Sequence, residues 1–244
     1  MSGSAGALLD ALPGWATLYR APNPGPMTLT GTNTWVLGGS VVVDPGPPDD
    51  EHLAQLTSAE LIIVTHGHHD HVEGAPRLAE LTGAPVLAAD REHGQPLPEL
   101  IEAAGLSIRV LRTPGHTSDS VSLVVNDEAV LTGDTILGQG STIVAHPDGN
   151  LAAYLGSLDR LAALGDIPAL PGHGPALASV RQAASHYREH RLARLEQVRS
   201  AVLEGAASAA DVVKVVYRDT DPALWWAAEL TVQAQLDYLN SERS

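Results

Sequence analysis

The sequence contains no cysteine and no phenylalanine, and aromatic residues make up only 4% of its 244 positions. Without thiols, disulfides, thiolate metal ligands and a cysteine nucleophile are all excluded. Any metal has to be held by His, Asp or Glu. With so few aromatics the core has to rest on Leu, Val, Ile and Ala, for which a 44% apolar content is sufficient. No apolar run long enough to span a bilayer occurs, so no membrane interaction is expected. The segment Met1 to Trp15 has neither a basic start nor a sustained apolar run. No signal peptide is therefore expected, and the cytoplasm is the default location. Positive charge is also scarce: 14 Lys and Arg face 29 Asp and Glu, for a net charge of −15. The deficit lies in residues 1–175, with 6 Arg against 20 acidic residues, whereas residues 176–244 carry 8 basic and 9 acidic ones. So acidic a first part argues against non-specific nucleic-acid binding, since repulsion weakens the encounter with phosphates, although a local positive site stays open.

Short strand-like runs alternate with helix-like segments, which predicts an α/β fold. Thr34–Leu37 and Ser40–Asp44 flank Gly38-Gly39, a hairpin signal. Asp50–Leu56 reads as a short helix, and Leu61–Thr65 as a strand buried on both faces. Gly74–Leu81 reads as a helix with Gly83 just past its end. Ile108–Arg112, Val121–Val125 and Ala129–Thr132 are expected strands, and Leu151–Leu164 an amphipathic helix. The character then changes. Leu177–Leu203 places Val180, Ala184, Tyr187, Leu195, Val198 and Val202 on one helical face. Ser208 is the expected N-cap of Ala209–Tyr217, and Asp221 that of Leu224–Leu239. The division expected is a catalytic domain over residues 1–175 and a small helical module over 176–244, packed on the first domain.

The chemistry concentrates after strand ends. Thr65-His66-Gly67-His68-His69-Asp70-His71 directly follows a buried strand; His116 follows Ile108–Arg112, Asp134 follows Ala129–Thr132, and His173 follows the run at Ala169. In an α/β fold such ends gather at one edge, where loops build sites. An isolated His-x-His occurs by chance, but His-x-His-x-Asp-His with three further glycine-flanked ligands does not have that reading. Imidazole and carboxylate suit zinc, and equally iron or manganese. Seven donors exceed the four of one tetrahedral zinc, so two ions are expected, roughly 3.5–4 Å apart and sharing a water or hydroxide that is nucleophilic at neutral pH. His69 sits at the variable position of the run and is read as solvated. His52, His93, His146, His186 and His190 lack such a context and are read as surface or core residues.

This pattern resembles the signature of the metallo-β-lactamase superfamily over residues 17–175. The resemblance implies a four-layer αββα sandwich. It implies that His66, His68 and His116 bind a first metal, Asp70, His71 and His173 a second, and that Asp134 bridges them, with Asp70 also acting in catalysis. Thr30-Gly31-Thr32-Asn33-Thr34-Trp35, Asp44-Pro45-Gly46, His190-Arg191 and Asp211–Tyr217 resemble, more narrowly, the beta-lactamase-like-2 group. That group carries a C-terminal winged-helix-like module, and its animal member is an endoribonuclease acting on single-stranded RNA. Relatives continue into a β-wing, whereas this chain stops soon after Leu239, so a truncated wing and a module that walls one side of the cleft are expected.

Two zinc ions and a hydrolysed phosphodiester, with single-stranded RNA among the candidates, form the first expectation. Arg181, Arg188 and Arg199 fall on one side of the long helix and, with Arg191 and Arg194, could meet phosphates, although an ordinary solvated flank is the simpler reading. A rival class hydrolyses a small-molecule (thio)ester or lactone, as glyoxalase II does. A third, the persulfide dioxygenases, shares the motif and uses one iron. A β-lactamase proper is disfavoured by the missing Cys and signal peptide. No protein partner is predicted.

Overall fold

The computed structural model describes residues 7, 8 and 10–242. A first sheet runs in chain order, β1 (Ala16–Arg20), β2 (Asn33–Leu37), β3 (Val41–Val43), β4 (Leu61–Val64), β5 (Val86–Ala88) and β6 (Gln95–Pro96). It is antiparallel up to β3 and parallel from there on. The second sheet contains β7 (Leu100–Ala103), β8 (Leu106–Arg112), β9 (Val121–Val125), β10 (Ala129–Gly133) and β11 (Ala169–Pro171), in the order β11-β10-β9-β8-β7. Only β10 and β11 pair in parallel. The helices are α1 (Asp50–Leu53), α2 (His69–Val72), α3 (Gly74–Thr82), α4 (Leu151–Ala162), α5 (Val180–Leu203), α6 (Ala209–Val216) and α7 (Trp225–Ser241).

The two-residue side-chain period of the strands assigns the layers. Leu37, Val41, Val43 and Ile63 point between the sheets, against Ile108, Leu123, Val125, Leu131 and Leu170. Their alternates Val36, Val42, Ile62 and Val64 point outward onto Leu53, Leu56, Ala75 and Leu78 of the α1–α3 side. On the opposite outer face Val124 and Val130 meet Tyr154, Leu158, Leu161, Val180, Ala183 and Tyr187 of α4 and α5. This is the αββα sandwich. It also explains why the central strands read as unbroken apolar runs: both of their faces are covered.

The second half of α5 leaves the sheet. Leu195, Val198 and Ala201 pack on Val212 and Val213 of α6 and on Ala228, Val232 and Leu239 of α7, with Leu151 and Leu155 of α4 joining them. Ser208 caps α6 by accepting from the Asp211 amide, and Asp221 caps a 3-10 turn, Pro222–Leu224, that leads into α7. Among the described residues no strand follows β11. The long helix starts at Val180 rather than Leu177. Ser179 accepts from the Gln182 amide, and Leu177 exchanges backbone hydrogen bonds with Ala169 instead. Sequence reading missed β1, β5, β6 and β7. They are short strands, and β6 is exposed and contains Pro96.

Arg191 departs furthest from expectation. Its guanidinium is buried against the Tyr154 ring, 5.4 Å from the centroid, and donates to the Thr142 carbonyl, so it cannot serve as a surface phosphate contact. The other arginines of the helix are engaged locally: Arg181 with Asp166 (3.3 Å), Arg188 with Asp159 (2.9 Å), Arg199 with Glu196 and Glu242, and Arg194 with the Val216 carbonyl (2.8 Å).

Candidate metal centre

Loops at the ends of β4, β8, β10 and β11, together with α2, bring the seven expected residues together. His66 follows β4 after Thr65. His68 is the N-cap residue of α2, a single turn that carries Asp70 and His71. His116 follows β8, and the turn before it requires glycine: Gly115 has φ +136°, and a Cβ there would lie 2.4 Å from the Tyr154 backbone. Asp134 follows β10. His173 follows β11, preceded by Gly172, where a Cβ would lie 2.5 Å from Asp134 Oδ1.

The donor atoms form overlapping groups that can each hold a cation. His68 Nδ1 lies 3.2 Å from His66 Nε2 and 3.0 Å from His116 Nε2. His173 Nε2 lies 3.2 Å from His71 Nε2 and 3.0 Å from Asp70 Oδ2. Asp134 stands between the groups, 3.8 Å from His116 Nε2 and 3.4 Å from both His71 and His173. Its Oδ1 is buried without a hydrogen-bond partner. An orphaned carboxylate oxygen among converging imidazoles is costly unless a cation completes it.

The outward-facing ring nitrogens are held by oxygens. His66 Nδ1 meets Thr65 Oγ1 at 3.0 Å, His71 Nδ1 meets Asp44 Oδ2 at 2.8 Å, His116 Nδ1 meets the Ile143 carbonyl at 2.6 Å, and His173 Nδ1 meets the Gly31 carbonyl at 3.3 Å. Such contacts fix ring orientation and tautomer, and leave the inner nitrogen free to bind. Asp44 and Thr65 stand in motifs noted in the sequence, but their role in orienting the ligands was not read there. Asp44 is buried at the end of β3, where its carboxylate also accepts from the Thr65 amide (2.8 Å) and hydroxyl (2.7 Å). The available signals were the Asp44-Pro45-Gly46 motif and a carboxylate ending the strand beside β4.

Titration divides the cluster. Burial pushes His116 down to about 4, and burial likewise lowers His66 and His68. Burial also works against charge on His173, but hydrogen bonds to Asp134 and Asp70 outweigh it and raise the pKa to about 9. His71 is raised against burial by Asp134 and Asp44. Asp134 and Asp70 stay below the usual carboxylate range despite burial, through His71 and His173. The buried carboxylates thus favour the charged forms of His71 and His173.

His69 is exposed beside Glu73 (3.0 Å), as expected. His52 is buried against Thr34 Oγ1, His146 pairs with Asp237, and His186 and His190 lie exposed on α5. None of these joins the cluster. His68, Asp70, His116 and Asp134 open into a cavity of about 400 Å³. Its walls include Met27, Leu29, Leu137, Ile143, Trp226 and Leu230, and among the described residues no Lys or Arg lines it.

Residues 27–102 match the metallo-beta-lactamase superfamily, and residues 208–243 match the beta-lactamase associated winged helix domain. A beta-lactamase-like protein 2 homolog of Drosophila melanogaster is 32% identical over 90% of this chain and 86% of its own length. An atrochrysone carboxyl ACP thioesterase of Aspergillus chevalieri is 33% identical over 75% of this chain and 64% of its own. Among solved structures, a metallo-beta-lactamase family protein of Thermus thermophilus superimposes with a TM-score of 0.82 over 95% of both chains, at 26% identity. A likeness of this extent over nearly the whole chain settles descent as well as fold, and the chain belongs to the metallo-β-lactamase superfamily.

Proposed function

We propose that the protein is a metal-dependent hydrolase of carboxylic esters, thioesters foremost, and that residues 1–175 carry the chemistry while 176–244 wall the cleft. The observation that carries the choice of substrate is the cleft lining. A phosphodiester brings a negative charge, and extended RNA brings one at every linkage; both call for cationic contacts beyond the metals. Among the described residues the cleft offers none, and Asp148 is part of its lining. A neutral acyl carbonyl needs none. The likeness to a thioesterase supports the same reading.

His66, His68 and His116 would hold one divalent ion, Asp70, His71 and His173 a second, and Asp134 both. The donor set fits: it has only nitrogen and oxygen atoms, imidazoles fixed from behind, and an orphaned Asp134 oxygen. Zinc suits these donors, as do iron and manganese. When bound, the ions supply a water that is nucleophilic at neutral pH and polarise the carbonyl under attack. The chain's own residues do the positioning. Asp70 reaches the cleft as an ionised carboxylate of low basicity. Such a group suits accepting the hydrogen bond that aims the attacking water better than abstracting its proton. Apolar walls keep bulk water away from the acyl carbon.

Metal-loaded protein should be presented with acyl thioesters, lactones, bis(p-nitrophenyl) phosphate and single-stranded RNA. Thioester turnover at least a hundredfold above that on the two phosphodiesters is expected. Cleavage of the phosphodiesters with none of the esters would replace this reading by the nuclease one.

A further inference from the structure

Among the described residues ten large apolar side chains are exposed, and three of them meet at the cleft. Met27 is 39% exposed, Trp226 60% and Leu230 37%, and all three line the cavity that His116 and Asp134 open into. They come from two separate structures. Met27 belongs to a loop between β1 and β2, Trp226 and Leu230 to the first two turns of α7. Exposed apolar surface gathered in a concave site marks the seat of an apolar ligand group.

Both structures are held in place. In the loop, Asn23 Oδ1 accepts from the Thr32 amide (2.9 Å), Asn23 Nδ2 donates to Thr32 Oγ1 (3.0 Å), and the Gly25 amide donates to the Leu29 carbonyl (3.1 Å). Leu29 is held at φ +56°, a left-handed conformation uncommon for a bulky residue. There it adds its own side chain to the cavity wall. On the opposite side Trp226 and Leu230 are four residues apart and share one face of α7. The Leu230 carbonyl accepts from the His146 amide (3.1 Å), which ties the helix to the loop that also provides Ile143. Two apolar jaws thus face each other across the cavity with little freedom left to lose on binding.

We propose that these jaws form an acyl-binding recess, and that the helical module, through Trp226 and Leu230, sets which acyl groups the enzyme prefers. The proposal rests on the ester-hydrolase reading above. The ligand is the uncharged hydrocarbon acyl part of a thioester, its carbonyl at the metal centre and its chain between Met27 and Trp226. Hydrolysis joins a water oxygen to the acyl carbon and breaks the C–S bond. The carboxylic acid is released, and one water proton passes to the departing sulfur to give the thiol.

The test is a series of straight-chain thioesters, from acetyl to decanoyl, on one small thiol, with released thiol measured by absorbance. Burial of each added methylene predicts a rise in kcat/KM of about fourfold until the recess is full. Trp226→Ala and, separately, Leu230→Ala should flatten that rise to below about twofold per methylene. A variant that is merely less well folded lowers all lengths together and keeps the slope, and thermal melts identify it independently. Cleavage of the acetyl thioester with no dependence on chain length in the wild type would overturn the recess while leaving the hydrolase reading intact. An unchanged slope in both variants would overturn the role of the module. No turnover at any length, with metal bound, would overturn both.

Discussion

The substitution Asp44→Asn separates the two halves of the proposed metal centre. Asp44 accepts three hydrogen bonds, from the Thr65 amide on Oδ1 and from the Thr65 hydroxyl and His71 Nδ1 on Oδ2. An asparagine has one oxygen. The Thr65 amide can only donate, so that oxygen stays in the Oδ1 place and an NH2 group takes the place of Oδ2. The Thr65 hydroxyl can turn and accept. His71 can accept only by releasing the proton on Nδ1 and carrying it on Nε2, the atom that faces His173, Asp70 and Asp134. A protonated Nε2 does not bind a metal, so the second site has to form against the preferred tautomer and without a buried negative charge behind the ring. Loss of such an outer contact weakens metal binding roughly 10–100-fold, about 1.4–2.7 kcal/mol. The backbone tolerates the change: Asp44 sits at φ +52°, which Asn adopts as readily as Asp. His66 keeps its contact with Thr65, so the first site should change by less than about threefold. Competition with a chromophoric zinc chelator resolves the two affinities. Equal weakening of both sites, or of neither, would refute the reasoning.

Three further outcomes follow from the same structure. Asp134→Asn removes the charge shared by the two groups and should lower kcat on a thioester at least about a hundredfold with both sites filled; near-normal turnover would show that Asp134 is not the shared ligand. In the metal-free protein at neutral pH, His71 and His173 carry protons, His173 with a pKa of about 9, whereas His66, His68 and His116 do not. Filling the second site should therefore release about two protons and tighten as pH rises toward 9, while filling the first releases none; calorimetry in buffers of different ionisation enthalpy measures this, and equal release from both sites would contradict it. Arg191→Met removes the donor to the buried Thr142 carbonyl, so stability should fall by about 1–3 kcal/mol while the fold is kept. The first site should also weaken about tenfold, because Arg191 holds the Thr142 carbonyl next to the Ile143 carbonyl that orients His116; an unaltered first site in a folded variant would remove Arg191 from that role.

Much of this architecture is written in local patterns. Ile62-Ile63-Val64 is apolar throughout because helices cover one face of β4 and the second sheet the other. Ser208 and Asp221 mark helix starts by chemistry that acts within three residues. The seven converging residues were legible because each follows a strand and four of them lie within six positions. What stayed hidden depends on distant partners. Asp44 acquires its role from residues 21 and 27 positions away. Trp226 faces Met27 across a cavity that only the packing of α7 creates. Arg191 was legible in principle. It lies four residues after Tyr187 and four before Leu195, both buried, so helical spacing places it on the inward face despite its charge. The same burial weakens the phosphate-binding reading of α5, and with it the order of substrate classes that the sequence suggested.

Metal content and thioester turnover, followed together in one titration, test the central claim most directly. Chelator-stripped protein should be inactive toward an acyl thioester and regain full activity on binding two divalent ions per chain, counted by mass spectrometry. Full activity with a single tightly bound iron, or with no metal, would contradict the two-ion hydrolase.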